Sequence, residues 1–194
     1  MMKRPANYEN TIAYGDFEPL ELGGHICTIC KVVETQSRTG KDMIEIWLDI
    51  AEGPQKGYYT AQWRNGSREN KKWPCIVYQL VEDNEGNASR GYKTFLESVK
   101  KSNAGFVEDK LWEANGTEYL KGKLIGGVFG REQYLNQKGE LKWSTKCVQF
   151  RSVEVIQKGV DIPEDKLLEG AKQPQQGNVF AAVEDNESYG DLPF

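Results

Sequence analysis

Met43-Ile44-Glu45-Ile46-Trp47-Leu48-Asp49-Ile50-Ala51 alternates without a break. Successive side chains of an extended chain point to opposite sides. Ile44, Ile46, Leu48 and Ile50 therefore share one face, and Met43, Glu45, Trp47 and Asp49 share the other. The branched apolar set must be buried, so the stretch reads as a strand of an antiparallel sheet covered on one side only. Trp47 is left on the outer face, between two acids on a solvated surface. Upstream, Ile26 to Thr35 is apolar and branched, and Ser37-Arg38-Thr39-Gly40-Lys41 between the two runs reads as a turn.

Downstream, Glu52-Gly53-Pro54 ends the strand. Gly57 to Arg64 reads as a third strand, with Tyr58 and Arg64 facing out and Tyr59 and Trp63 facing in. Residues 64–72 form a basic polar loop. Trp73 to Val81 is apolar again and leaves strand and helix open. The period then changes: Tyr92, Phe95, Leu96 and Val99 fall at helical spacing, opposite Lys93, Glu97, Lys100 and Lys101. The helix should stop near Asn103-Ala104-Gly105, and a short piece at Glu108 to Glu113 follows. Lys121 to Gln133 and Leu141 to Gln157 read as two closing strands. Asn136-Gln137-Lys138-Gly139 between them reads as a hairpin turn with glycine at a positive φ. The fold class is therefore mainly β with one main helix. The order of three strands, a helix and two strands is that of an OB-fold, a five-stranded Greek-key barrel, here with insertions. The divisions are an N-terminal extension at 1–20, the OB body at 21–158, and a disordered linker with an acidic tip at 159–194.

The chain has 194 residues, 38% of them apolar, enough for one domain with a real core. No run is long and apolar enough to span a membrane, and no apolar stretch follows Met1-Met2-Lys3-Arg4-Pro5, so a cytoplasmic location is expected. Residues 160–194 hold eight acids against two bases, a net charge of −6; since the chain carries −4 overall, residues 1–159 carry +2. A mildly basic body with an acidic tail fits a nucleic-acid binder whose tail has a separate task. Of the four cysteines, Cys27 and Cys30 form a C-x-x-C. No second pair completes a zinc site, and the β surroundings do not suit a redox pair, so buried structural thiols are expected.

Gripping single strands without reading sequence needs flat rings for bases and cations for phosphates. Lys56, Tyr58, Arg64, Arg68, Lys71, Lys72 and Trp73 interleave both, and the outer face of the second strand adds Trp47. The turn offers Arg38 and Lys41; the last hairpin offers Arg131, Tyr134, Lys142 and Trp143. These form the expected DNA-binding set. With one histidine, no G-x-S-x-G, no P-loop and no H-E-x-x-H, common hydrolytic designs are missing. No enzymatic activity, metal or cofactor is expected. The rivals are an OB-like module that binds only protein, and a phage metal-dependent nuclease or accessory factor drawing on Asp42, Glu45 and Asp49.

The tail closes on Asp191-Leu192-Pro193-Phe194 behind Glu184, Asp185 and Glu187. A ring beside a free carboxylate makes a compact anchor for a basic-rimmed apolar pocket. This tip resembles the acidic C-terminal tip of bacterial single-stranded DNA-binding proteins, which reads Asp-Asp-Asp-Ile-Pro-Phe. Over residues 22–157 the body is similar to OB-type single-stranded DNA-binding domains of phages and mobile elements, through Arg38-Thr39-Gly40-Lys41 and Leu120-Lys121-Gly122-Lys123. The resemblance implies DNA coating by the body and recruitment of replication, recombination or repair proteins by Asp191, Leu192, Pro193 and Phe194. It leaves open whether the chain forms a homo-oligomer.

Overall fold

One extra residue sets the register between the first two strands of the sheet. In the computed structural model, which describes residues 3–6, 8, 18–66 and 69–168, strand β1 (Gly23–Gln36) pairs antiparallel with β2 (Asp42–Ile50), and the register slips between Ile29 and Lys31. Cys30 is the bulged residue. Without it, strict alternation would turn Val32 outward; with it, Cys27, Ile29 and Val32 all face the core. The slip also sets Lys31 directly opposite Trp47 on the outer face. Ile44, Ile46, Leu48 and Ile50 are buried together, as their alternation requires.

The five strands form one antiparallel sheet in the order β3-β2-β1-β4-β5, with β3 Ile76–Leu80, β4 Leu124–Leu135 and β5 Leu141–Arg151. β3 and β5 are its two edges, so the sheet is open. The helix expected from periodicity is α2 (Arg90–Ser102), and its Ser89 cap accepts the Tyr92 N–H at 3.2 Å. Phe95, Leu96 and Val99 seal the core, with Phe95 meeting the Phe150 ring at 5.2 Å. The Asn103 side chain ends the helix. Its amide donates to the Val99 and Leu124 carbonyls, and its oxygen accepts the Leu124 N–H, tying α2 to the start of β4. A 3₁₀ turn (Glu108–Trp112) and a short helix α3 (Gly116–Leu120) lead into β4.

Three expectations need correction. Gly57 to Arg64 is not a strand: Tyr58–Asn65 is a helix, α1. Its first turn is capped from β2 by Asp49, which is buried rather than set on a solvated face. Helical spacing, not alternation, then orients the rings. Tyr59 is buried, Trp63 is exposed where it was expected inward, and Tyr58 is half-buried against the core where it was expected outward. Second, β5 ends at Arg151; Val153–Lys158 is a further helix, α4, which lies over Gly24 and Gly126 through Ile156. Third, residues 160–168 do not begin a linker. They run along β4, with the Lys166 N–H on the Arg131 carbonyl and the Gln133 N–H on the Lys166 carbonyl, both 2.9 Å. The tip, 191–194, lies outside the described residues. Among the described residues no helix is long and apolar enough to cross a membrane.

Candidate nucleic-acid interface

Three tryptophans, from β2, α1 and the segment before β3, meet in one row. Trp47 and Trp73 stack with centroids 6.1 Å apart and planes 11° apart; Trp73 and Trp63 follow at 6.3 Å and 40°. Trp73 is held in the middle because its Nε1–H donates to the Leu48 carbonyl at 2.8 Å. Trp47 Nε1–H donates to Glu45 Oε2 at 3.3 Å. Trp63 sits on α1, whose start is fixed by Asp49. One Asp49 oxygen accepts the Ile50 and Tyr59 N–H groups, and the other accepts the Thr60 N–H and hydroxyl. Gly57, at φ 74°, makes the left-handed entry this helix needs and has no side chain to cap it.

An ammonium stands at each end of the row: Lys31 Nζ lies 5.2 Å from the Trp47 ring centre and Lys71 Nζ 5.1 Å from that of Trp63. Lys71 also donates to the Trp63 and Arg64 carbonyls, at 3.2 and 3.4 Å, which closes the C-terminal turn of α1. Beside Trp63 and Trp73 opens a groove of about 600 Å³, lined also by Gln62, Asn70, Lys71 and Lys72. Lys72 is exposed along it, and Arg64, the residue after Trp63 on α1, is exposed as well. A larger groove, about 740 Å³, lies under residues 158–163 and contains Arg151 and Lys158 but no aromatic wall.

The structure thus joins Trp47, Lys71, Lys72 and Trp73 of the expected set in one place, and Arg64 is exposed on the helix that carries Trp63. Arg68 lies outside the described residues. Lys56 is exposed in the turn ahead of α1. Tyr58 is committed elsewhere: its hydroxyl accepts the Leu20 N–H at 3.0 Å, its ring meets Tyr59 edge-on at 5.1 Å, and burial pushes its phenol pKa up. Arg38 and Lys41 occupy the β1–β2 turn, about six residues or roughly 20 Å along β2 from Trp47; the Lys41 ammonium bonds the Asn84 side chain. The β4–β5 hairpin is at the opposite end of the sheet. There Arg131 lies 4.9 Å over Trp143 and forks onto Asp165, whereas Tyr134 and Lys142 point to the other face.

Sequence reasoning missed three members of the site. Alternation points Trp63 inward, and neither Lys31 nor Tyr78, which is 57% exposed, stands out by composition. Tyr78 stands opposite Glu45, between Trp47 and the β1–β2 turn. Its signal was the alternation Ile76, Tyr78, Leu80, usable only once β3 is known to pair with β2. The carboxylates considered for a metal are otherwise engaged: Asp49 caps α1, Glu45 holds Trp47 and Asp42 accepts from Gln36. Among the described residues no three His, Cys, Asp or Glu side chains are grouped to hold a metal ion. The sequence matches no protein-family model and no curated protein.

Proposed function

We propose that this protein binds single-stranded DNA without strong sequence preference, acts in the cytoplasm, and recruits replication, recombination or repair proteins through Asp191-Leu192-Pro193-Phe194. The observation that carries the reading is the Trp47–Trp73–Trp63 row, flanked by Lys31 and Lys71 and bordered by Lys72. Rings for bases beside cations for phosphates are what sequence-tolerant strand binding requires. The strand order β3-β2-β1-β4-β5, with α2 between β3 and β4, supports an OB-type topology left open between β3 and β5. On that reading the row lies on the outer face of β2 and β3, the side on which such folds hold oligonucleotides.

The test is a titration with dT oligomers of graded length at two salt concentrations, read by tryptophan quenching. Binding should weaken steeply as salt rises. Trp47→Ala and Trp63→Ala should each weaken it about 5- to 150-fold, the range of one base–aromatic stack. Quenching absent at low salt would end the proposal and favour the protein-only module. Deleting residues 184–194 should leave DNA affinity intact or tighter and abolish partner capture.

A further inference from the structure

Both faces of Trp47 are covered in the free protein, by different kinds of group. The order β3-β2-β1 places Trp73, just ahead of β3, on one flank and Lys31, from β1, on the other. Trp73 cannot leave, since its indole is bonded to Leu48 and packed between two rings. Lys31 is exposed, and among the described residues its ammonium makes no hydrogen bond or ion pair; it lies 5.2 Å from the ring centre and touches nothing else polar there. A base that stacks on Trp47 must therefore take the place of the Lys31 ammonium. Lys71, at the other end, is tethered to two carbonyls of α1 and is the harder cap to move.

Resting on the DNA-binding reading above, we infer that Lys31 is a displaceable cap: it covers the free Trp47 ring, and a nucleobase takes that face while the ammonium moves to the phosphate of the same strand. One cation thus serves the ring in the free state and the phosphodiester in the bound state. The exchange shields an exposed aromatic when no strand is present. It also makes stacking and phosphate contact at this end a single event.

The experiment follows the Lys31 ε-methylene by NMR in the full chain, free and saturated with a dT oligomer of about ten nucleotides or an abasic oligomer of equal length. In the free protein the ring current holds this signal upfield. It should move downfield with dT and stay upfield with the abasic strand. In parallel, Lys31→Met should lower the salt slope of dT binding by about one, since the ammonium meets a phosphate only in the dT complex, and leave the abasic slope unchanged. Lys71→Met should not separate the two strands in this way, because Lys71 keeps its place whether or not a base is present. A Lys31 signal still upfield in the saturated dT complex, or a dT slope unchanged in Lys31→Met, overturns the exchange while leaving DNA binding intact. Failure of both oligomers to bind the wild-type protein removes the DNA-binding reading and the cap with it.

Discussion

Removing the Asp49 carboxylate should detach α1 from β2, and the size of the loss follows from its hydrogen bonds. Asp49 is 5% exposed and receives the Ile50, Tyr59 and Thr60 N–H groups at 2.8, 2.9 and 3.2 Å, together with the Thr60 hydroxyl. The first N–H groups of any helix have no partner inside it, and Gly57 supplies none here. In Asp49→Ala the buried Tyr59 N–H is stranded, at about 1–3 kcal/mol, and the lost cap adds about 1 kcal/mol. The total is about 3 kcal/mol, since a water can reach half-buried Thr60. With a urea slope near 2 kcal/mol/M for a domain of this size, the unfolding midpoint should fall by about 1.5 M. Asp49→Asn keeps one acceptor and should fall by roughly half as much. Equilibrium urea unfolding, followed by far-UV circular dichroism, measures both. A midpoint shift under about 0.5 M for Asp49→Ala would refute the capping argument and the view that β2 holds Trp63 in place.

The docked segment 160–168 should be acid-labile. Hydrogen bonds from Arg131, and from Lys146 and Lys166, hold the Asp165 and Glu132 carboxyls below their ordinary values. Carboxyls depressed in the folded state stabilise above their unfolded values, about 4, and lose that contribution as pH falls through the folded ones. The protection factors of the Lys166 and Gln133 amides should fall modestly below about pH 4, since the pairs are exposed and screened, while those of α2 hold; equal protection factors at pH 6 and pH 3 would contradict this. Gly126→Ala should destabilise by about 1–3 kcal/mol, because a Cβ there would stand 2.4 Å from Ile156 and 2.8 Å from the Arg151 carbonyl; an unchanged melting temperature would count against this packing of α4. Burial pushes the Cys75 thiol up to about 12 and Cys30 to about 11, and raises Cys27 and Cys147 well above the ordinary range. Iodoacetamide at about pH 8, a little below the ordinary thiol pKa, should label no thiol in the folded chain and all four after unfolding; rapid labelling of folded Cys75 would rule out a sealed core there.

How far the fold could be read depended on how local its cause was. The alternation at 43–51 and the 3.6-residue spacing at 92–99 are properties of neighbouring side chains, and both elements form where those patterns place them. Alternation misplaces α1 because its decisive residue is Asp49, ten positions before Tyr59 on the preceding strand. Tyr58, Tyr59 and Trp63 fit alternation and helical spacing about equally well until that cap is known. The end of β5 was misread because Val153 and Val155 continue an alternating, β-branched run. Ser152 redirects the chain there through backbone bonds that composition does not reveal. For the candidate site, Trp47 was legible from alternation and the basic character of 64–72 from composition. The stacking of Trp47 on Trp73, and the placement of Lys31 by the Cys30 bulge, depend on strand register, which a single sequence does not display.

The three tryptophans should not contribute equally in the proposed role, and their surroundings say which will matter. Trp73 lies between two rings, and its Nε1–H is spent on the Leu48 carbonyl. Its loss would leave that bond unmade and open a gap at the margin of the core, so Trp73→Phe should weaken stability and DNA binding together. Trp63 is 40% exposed on the last turns of an eight-residue helix. The two-fifths of its surface left in water give no stability, so its loss costs less than that of the enclosed Trp73. Trp63→Ala should therefore reduce DNA affinity with a smaller shift in the urea midpoint than Trp73→Phe, and Trp47→Ala should fall between the two. If Trp63→Ala instead unfolded the protein as readily as Trp73→Phe, the row would be packing alone, and the stacking surface would have to be sought elsewhere, beginning with Tyr78.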